Sequence, residues 1–329
     1  MGGCTHVERR PRARYSTRGV LMDETSVTVR ITDVDAGGIR LAVSSAGEPG
    51  APLVVLLHGF PEIGYAWRHQ IRSLAAAGFR VAAPDQRGHG WSEVPDAVED
   101  YRLDRLVSDV VGLIDADGAD EAVVVGHGWG AHVATAAAFS APDRVRAIAM
   151  LGTPFETPGA DSVNDPLRAA SALHRERSAE YQADPFAALR RIQWTLCGGR
   201  PAGWSPDDAL PSGLPPHLSK GEFENYFRAY AKSGFDAPTR VFANDAANRS
   251  ITEAWSAATL DVPALFLAGE RDPLVRSGSG DLLSQIAALP TTCTKLHGPH
   301  LIEGAGHWLQ QEAPEQVTDL LLAFLEDIA

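Results

Sequence analysis

A glycine-rich turn between a predicted strand and a predicted helix has the form of a site for a catalytic side chain. The apolar residues 123–125 lead into the sequence GHGWG at 126–130, and a segment of helical periodicity follows. Small residues at both ends of such a turn let the chain bend sharply and lift the central side chain away from the sheet. The central position normally holds Ser, Cys or Asp, but here it is Gly128. The turn is therefore predicted to lack the group that would form a covalent intermediate.

The same glycines could also belong to a phosphate-binding turn. That turn requires the spacing G-x-G-x-x-G and an acidic residue about 20 positions further on, which contacts a ribose. In residues 126–130 the third glycine follows one position too early, and no such acidic residue is evident. Nucleotide binding is therefore not predicted.

An acid and a histidine follow at later predicted strand ends, in the order nucleophile position, acid, histidine. Asp272 comes just after the apolar run 264–267, and His307 lies in the glycine-flanked segment 303–308 before the last predicted helix. A carboxylate that accepts a hydrogen bond from the imidazole Nδ1–H leaves Nε2 free to take a proton. We therefore predict that Asp272 and His307 form a catalytic pair. Glu156, at the end of another predicted strand, is the alternative acid.

Two backbone N–H groups are predicted to complete this site. The segment 57–62 directly follows a predicted strand, and in such an arrangement an N–H of this loop and the N–H after the nucleophile position form an oxyanion hole. This assigns the backbone of Phe60 and Trp129. Backbone donors do not depend on the side chain at position 128, so the polarising pocket is expected to persist.

Alternating strands and helices are predicted to position these groups. Segments 27–31 and 39–43 have the pattern of a hairpin. Short apolar runs, typical of strands buried on both faces of a parallel sheet, cover residues 53–57, 79–83, 122–125, 147–151, 264–267 and, more weakly, 291–296. Helical periodicity covers residues 65–77, 103–116, 129–139, 280–289 and 314–328. The alternation predicts a doubly wound, mostly parallel α/β core, with its functional loops at the carboxyl ends of the strands.

Two segments depart from this alternation. Residues 155–250 are mainly of helical pattern, interrupted by a Pro/Gly-rich loop at 198–216, and are predicted to form a lid over the core, which comprises residues 22–154 and 251–329. Residues 1–21 contain five arginines and no apolar run, and are expected to be a disordered arm rather than a secretory signal.

Composition excludes several classes of function. The net charge of −13 disfavours nucleic-acid binding, which depends on clustered Lys and Arg. The three cysteines, Cys4, Cys197 and Cys293, have no paired spacing, which argues against disulfides and against a zinc site and suits a reducing compartment such as the cytoplasm. No apolar stretch is long enough to span a membrane. We expect no cofactor and no metal ion.

The motifs together resemble those of epoxide hydrolases, members of the α/β-hydrolase superfamily. They are HGFPE at 58–62 with WR at 67–68, PDQRGHG at 84–90, GHGWG at 126–130, KSGF at 232–235 and GHW at 306–308. Haloalkane and fluoroacetate dehalogenases share some of these motifs, but the residues Phe60-Pro61-Glu62 and the lid motif favour the epoxide hydrolases. The resemblance extends from about residue 27 to the C-terminus.

The resemblance implies an α/β-hydrolase fold with a lid, and an aspartate nucleophile where this chain has Gly128. It also implies two lid tyrosines that hold the epoxide oxygen. Phe242 stands at the second position, and the first falls between Arg177 and Tyr181, with Tyr181 as its candidate. Together with Trp308, these residues are expected to line the substrate pocket.

Three hypotheses remain open at this point. The chain could be an enzyme that uses His307 and Asp272 as a general base, without an ester intermediate, for epoxide opening, cyclisation or a lyase step. It could instead be a non-catalytic binding protein, or an epoxide hydrolase deliberately inactivated at position 128. In each case the partner is a bulky apolar small molecule. The oligomeric state stays open, with a homodimer as one option.

Overall fold

The computed structural model describes residues 16–21, 27–154, 174, 176–255, 258–276 and 280–329. Its strands are β1 (Ser16–Leu21), β2 (Val29–Asp35), β3 (Arg40–Ala46), β4 (Leu53–Leu57), β5 (Arg80–Pro84), β6 (Ala122–His127), β7 (Val145–Leu151), β8 (Ala264–Gly269) and β9 (Leu296–Ile302). Its α-helices are α1 (Arg68–Ala76), α2 (Leu103–Asp117), α3 (Trp129–Ser140), α4 (Ser178–Ala183), α5 (Pro185–Leu196), α6 (Lys220–Ser233), α7 (Asp236–Thr239), α8 (Asp245–Glu253), α9 (Pro273–Arg276), α10 (Gly280–Thr292), α11 (Leu309–Glu312) and α12 (Pro314–Asp327).

The strands form one sheet in the order β1-β2-β3-β5-β4-β6-β7-β8-β9. Strands β1 to β3 are antiparallel to their neighbours, whereas β5, β4, β6, β7, β8 and β9 are all parallel. The predicted hairpin and the predicted mostly parallel core are confirmed. Because β4, β6 and β8 run in one direction, the loops after them meet at one edge of the sheet.

The central strands are buried on both faces, as their unbroken apolar runs predict. Alternate residues of β4 illustrate this: Val55 and Leu57 pack toward α2 and α3, whereas Val54 and Leu56 pack toward α1 and α12. All four side chains are at most 1% exposed. The sheet therefore lies between two helical layers that hold its strand ends rigidly.

The segment predicted as a lid contains helices α4 to α8, which are inserted between β7 and β8; it is called the lid below. Buried aromatic residues of the lid, among them Tyr181, Tyr230 and Phe242, belong to the same apolar cluster as the α2–α3 side of the sheet. Arg68 of α1 donates to Glu222 of α6 at 2.7 Å and to Gln311 of α11 at 2.7 Å, so a buried guanidinium joins lid and core. Helix α6 begins with a capping box in which Ser219 and Glu222 satisfy each other's backbone N–H groups.

Two details differ from the sequence-based expectations. Residues Ser16–Leu21, the last part of the expected disordered arm, pair with β2 as an antiparallel edge strand. The last strand is not at 291–296 but at Leu296–Ile302, because helix α10 continues to Thr292.

Residues 1–15, the start of the lid at 155–173 and the alternative acid Glu156 lie outside the described residues. Within the described residues, none of the helices has the length and apolar character needed to cross a membrane.

Candidate active site

The turn at residues 126–130 has the sharp geometry that its glycines predict. A Cβ at Gly126 would lie 2.1 Å from the Gly130 carbonyl oxygen, and one at Gly130 would lie 2.3 Å from that of Leu57. Neither position can therefore carry a side chain without moving the backbone. The Gly128 N–H donates to the Leu151 carbonyl at 3.0 Å, which fixes the turn against β7.

Gly128 differs from its two neighbouring glycines because it has room for a side chain. The atoms nearest to a Cβ added at Gly128 are Gly59 Cα and His307 Nε2, both at 3.6 Å, which is ordinary van der Waals contact. Its φ of +54° is a conformation that glycine adopts without penalty and other residues adopt only with strain. The elbow therefore keeps the backbone of a nucleophile position, and the free volume at Gly128 faces His307.

His307 and Asp272 form a buried hydrogen-bonded pair. His307 Nδ1 donates to Asp272 Oδ2 at 2.8 Å, and Asp272 Oδ1 accepts from the Leu274 N–H at 2.8 Å. Burial by itself lowers the pKa of His307, but the charge and hydrogen bond of Asp272, with a smaller contribution from Glu62, raise it above its usual value. The pairing at Nδ1 directs Nε2 toward Gly128.

The two predicted oxyanion donors, the backbone N–H groups of Phe60 and Trp129, belong to residues that line one small cavity. Within the described residues, neither the Phe60 N–H nor the Trp129 N–H donates a hydrogen bond. The loop that carries Phe60 is held by His58, whose Nε2 accepts from the Gln86 N–H at 2.9 Å. Burial lowers the pKa of His58 to about 4, so its ring stays neutral and can accept this bond. The cavity borders this loop.

A second buried pair, Glu62 and His127, supports the first. His127 Nδ1 lies 2.6 Å from Glu62 Oε2, and its Nε2 lies 2.8 Å from the His307 carbonyl oxygen. Burial by itself raises the pKa of Glu62, but the charge and hydrogen bond of His127 outweigh it and lower that pKa. Neither side chain was assigned a role from the sequence. In the structure, their pair fixes the backbone of His307.

Four hydrogen bonds surround the Glu62 carboxylate. Oε2 also accepts from the Gly59 N–H at 3.1 Å, and Oε1 accepts from Gln310 Nε2 at 2.9 Å and Gln311 Nε2 at 2.7 Å. Two glutamines shortly after the histidine motif are the sequence signal for this network, which could not be interpreted without knowing where Glu62 lies.

Aromatic rings of the lid cover the elbow. The Phe242 ring lies 5.5 Å from that of Phe60 and 5.5 Å from that of Trp129. Tyr181 is buried, with its ring 6.4 Å from that of Phe60, and its hydroxyl lies 3.1 Å from Nδ1 of His174. The structure thus brings Phe242 and Tyr181 together above the loop that carries Phe60. His174 is a neighbour of Tyr181 that the sequence did not reveal.

Trp308 differs from the pocket wall that was expected. Its side chain is fully buried, and its indole N–H donates to the Gln193 carbonyl of α5 at 3.0 Å. Its ring lies 5.2 Å from that of His307 and 5.8 Å from that of His127. Trp308 therefore packs between the lid and the catalytic loop. His89 supports its own turn, because its Nδ1 lies 3.1 Å from the Arg87 carbonyl oxygen.

Comparison with known proteins agrees with the fold. The family profile for the α/β hydrolase fold matches residues 52–314. The chain is therefore an α/β hydrolase. Epoxide hydrolase A of Mycobacterium tuberculosis is 40% identical over an alignment 323 residues long. The alignment covers 89% of this chain and 96% of that protein.

Solved structures give the same result. Epoxide hydrolase A from Mycobacterium thermoresistibile has a TM-score of 0.81 and 35% identity, covering 95% of this chain and 98% of that one. An epoxide hydrolase from an endophytic Streptomyces has a TM-score of 0.82 and 31% identity, covering 93% of this chain and 97% of that one. Within the α/β hydrolases, the chain belongs to the epoxide hydrolase family.

Proposed function

We propose that this protein is an enzyme in which His307, oriented by Asp272, acts as a general base without a covalent ester. The base would deprotonate a water molecule or a substrate hydroxyl bound in the space beside Gly128. The observation that carries this proposal is the 3.6 Å separation between His307 Nε2 and the place where a Cβ of residue 128 would stand. A glycine there leaves that volume to a reacting oxygen, within reach of the base.

The proton transfers balance without a nucleophilic side chain. For an epoxide, a water oxygen bonds to a ring carbon while its proton passes to His307 Nε2 and the ring C–O bond breaks. The N–H groups of Phe60 and Trp129 stabilise the negative charge that develops on the epoxide oxygen as the ring C–O bond breaks. The released alkoxide then takes a proton from His307, giving a diol and the original base. If a hydroxyl of the substrate replaces water, the same steps give a cyclic ether.

The retained histidine–carboxylate pair favours an enzyme over a binding protein. A buried imidazole whose Nδ1 is fixed by Asp272 and whose backbone is fixed by His127 has a defined direction for proton transfer. Positioned general bases typically accelerate a reaction by about 10²–10⁴-fold. A binding site needs no such base.

The substrate is proposed to be a bulky apolar molecule. The lid presents Tyr181 and Phe242 above the oxyanion loop, and Phe60 contacts both rings from below. Phe242 supplies no hydroxyl to a leaving oxygen. The oxygen of the substrate would therefore depend more on the backbone donors than it does in a site with two tyrosines.

An isotope experiment in H₂¹⁸O separates the proposed route from an ester route. The unmodified protein and the Gly128→Asp variant are each mixed with aryl and alkyl epoxides, with the protein in excess over the epoxide. The diol formed in this first turnover is analysed by mass spectrometry. Direct attack by water places ¹⁸O in the diol at once. In the variant, the first oxygen comes from the unlabelled carboxylate, so label enters the diol only in later turnovers.

Three outcomes distinguish the hypotheses. Turnover by the unmodified protein that His307→Ala abolishes, with ¹⁸O in the first diol, supports the proposal. Turnover only after Gly128→Asp identifies an epoxide hydrolase inactivated at its nucleophile. Ligand-dependent increases in Tm with no turnover in either protein identify a binding protein.

A further inference from the structure

Three potential metal ligands meet where the lid joins the core. Cys197 follows α5, His217 precedes α6, and Glu312 ends α11. One ligand atom from each residue lies within 4.8 Å of the other two. Cys197 is buried and the other two are partly buried. None of the three takes part in the proposed reaction, although Trp308, the neighbour of His307, donates its N–H to Glu312.

The separations are close to those of a tetrahedral site. With bonds of about 2.3 Å to sulfur and about 2.0 Å to oxygen, tetrahedral zinc holds these two atoms about 3.5 Å apart. Cys197 Sγ lies 3.7 Å from Glu312 Oε2. Because its ligand atom lies within 4.8 Å of the other two, the His217 nitrogen would need to move by about 1.5 Å at most to complete such a set.

One nitrogen of His217 lacks a hydrogen-bond partner among the described residues. Its Nε2 lies 3.0 Å from Gln193 Oε1, which fixes the proton on Nε2 and leaves the lone pair on Nδ1. Nδ1 is buried, and no described residue hydrogen-bonds to it. A metal-binding histidine commonly donates its other N–H to a carbonyl or carboxylate in this way. The orphaned nitrogen is a second observation, independent of the spacing, that indicates a bound ligand.

The Glu312 carboxylate is also oriented by its surroundings. Oε2 accepts from the Gly198 N–H at 2.8 Å, and Oε1 accepts from the Trp308 N–H at 3.2 Å. A carboxylate has about four lone-pair positions, so these bonds leave capacity for a cation. Within the described residues, no Lys or Arg forms an ion pair with Glu312.

We propose that Cys197, His217 and Glu312 bind a divalent transition-metal ion, with Zn²⁺ as the ion that this sulfur, nitrogen and oxygen set favours. His217 would bind through Nδ1, and water would occupy the fourth position. On binding, the Cys197 thiol releases its proton to solvent. The ion takes no part in the reaction proposed for His307, because its ligands lie outside the His307–Asp272 pair.

Such an ion would fasten the lid to the loop that carries His307. The His307 N–H already donates to the Leu196 carbonyl at 2.9 Å. A Cβ at Gly306 would lie only 2.1 Å from the Gly198 nitrogen, so the two backbones are in direct contact. Since Cys197 lies between Leu196 and Gly198, a bond from its sulfur to a metal on Glu312 would hold both segments.

Metal binding can be measured without any substrate. The purified full chain is treated with a chelator, dialysed, and titrated with Zn²⁺ or Co²⁺. We expect one ion per chain, a thiolate-to-cobalt charge-transfer band in the near-ultraviolet, and a Tm that rises with free Zn²⁺. The Cys197→Ser and His217→Gln variants should each bind Zn²⁺ at least roughly tenfold more weakly.

Cys293 supplies the matched control, since it is the other buried free cysteine among the described residues. Cys293→Ser should keep the cobalt band and the rise in Tm. The proposal is overturned if the unmodified chain shows no charge-transfer band, or if Cys293→Ser loses it and Cys197→Ser does not. The cobalt spectrum of the unmodified protein needs no variant, so a variant that fails to fold leaves the test intact. Neither result depends on the reaction proposed for His307.

Discussion

Replacing Gly128 by alanine should destabilise the protein through its backbone alone. The added Cβ has no neighbour closer than 3.6 Å, so there is no steric overlap, but φ is +54°. Holding a non-glycine residue in such a conformation costs about 1–3 kcal/mol. At about 2–4 °C per kcal/mol, the value for domains of 150–250 residues, Tm should fall by roughly 2–12 °C. Differential scanning calorimetry measures this change.

Two further glycines calibrate the result. Gly118, at the end of α2, has φ of +82° and nothing within 4 Å of an added Cβ. Gly118→Ala should therefore cost a similar amount, about 1–2 kcal/mol, far from the site. Gly126→Ala should prevent folding or distort the elbow, because its Cβ would lie 2.1 Å from a carbonyl oxygen.

The comparison of alanine with aspartate at position 128 then isolates the effect of the carboxylate. Because His307 Nε2 lies 3.6 Å from the Cβ position, an aspartate would sit beside a base whose pKa is already raised. At pH 6, where His307 is protonated, Gly128→Asp should therefore lose less stability than Gly128→Ala. This difference between the two variants should shrink as the pH rises through the pKa of His307. An alanine variant as stable as the unmodified protein would refute the strained elbow.

Three other predictions concern the groups around the elbow. Asp272→Asn should lower kcat by about 10²–10⁴-fold. Activity needs neutral His307, and Asp272 raises the pKa of His307 against the effect of burial. The rise of activity with pH should therefore shift to lower pH in this variant. An unchanged pH profile would exclude His307 as the base. Glu62→Gln should cost about 3–5 kcal/mol in urea unfolding, because it removes a buried charge paired with His127; a cost below 1 kcal/mol would show that the pair is not held in solution. In the Gly128→Asp background, Phe242→Tyr should raise epoxide hydrolysis by up to about 10²-fold by supplying a donor to the leaving oxygen, and a decrease with normal stability would mean that position 242 does not face the substrate.

Local patterns in the sequence were enough to predict the sheet and the elbow. Continuous apolar runs identify strands buried on both faces, and the glycines at 126 and 130 mark a turn that no side chain can enter. The order of position 128, Asp272 and His307 places three loops at one edge of the sheet. Each of these inferences depends on neighbouring residues or on chain order, which are properties that a sequence displays directly.

Contacts between distant segments were decided by the tertiary structure. Nothing in the sequence pairs Glu62 with His127, which lie 65 positions apart, or shows that Trp308 packs against α5 rather than lining the pocket. The spacing of the cysteines argued against a zinc site, yet folding brings Cys197 within 3.7 Å of Glu312, 115 positions away.

The sequence by itself therefore determined the family, and it predicted the order of the proposed catalytic groups and the glycine at the nucleophile position, because each is written in a short motif. The fold alone decided which side chains support His307 and what meets at the seam between lid and core. The physical reason is that a buried hydrogen bond or a metal site requires atoms a few ångströms apart, and only the packing of the lid on the sheet sets those distances.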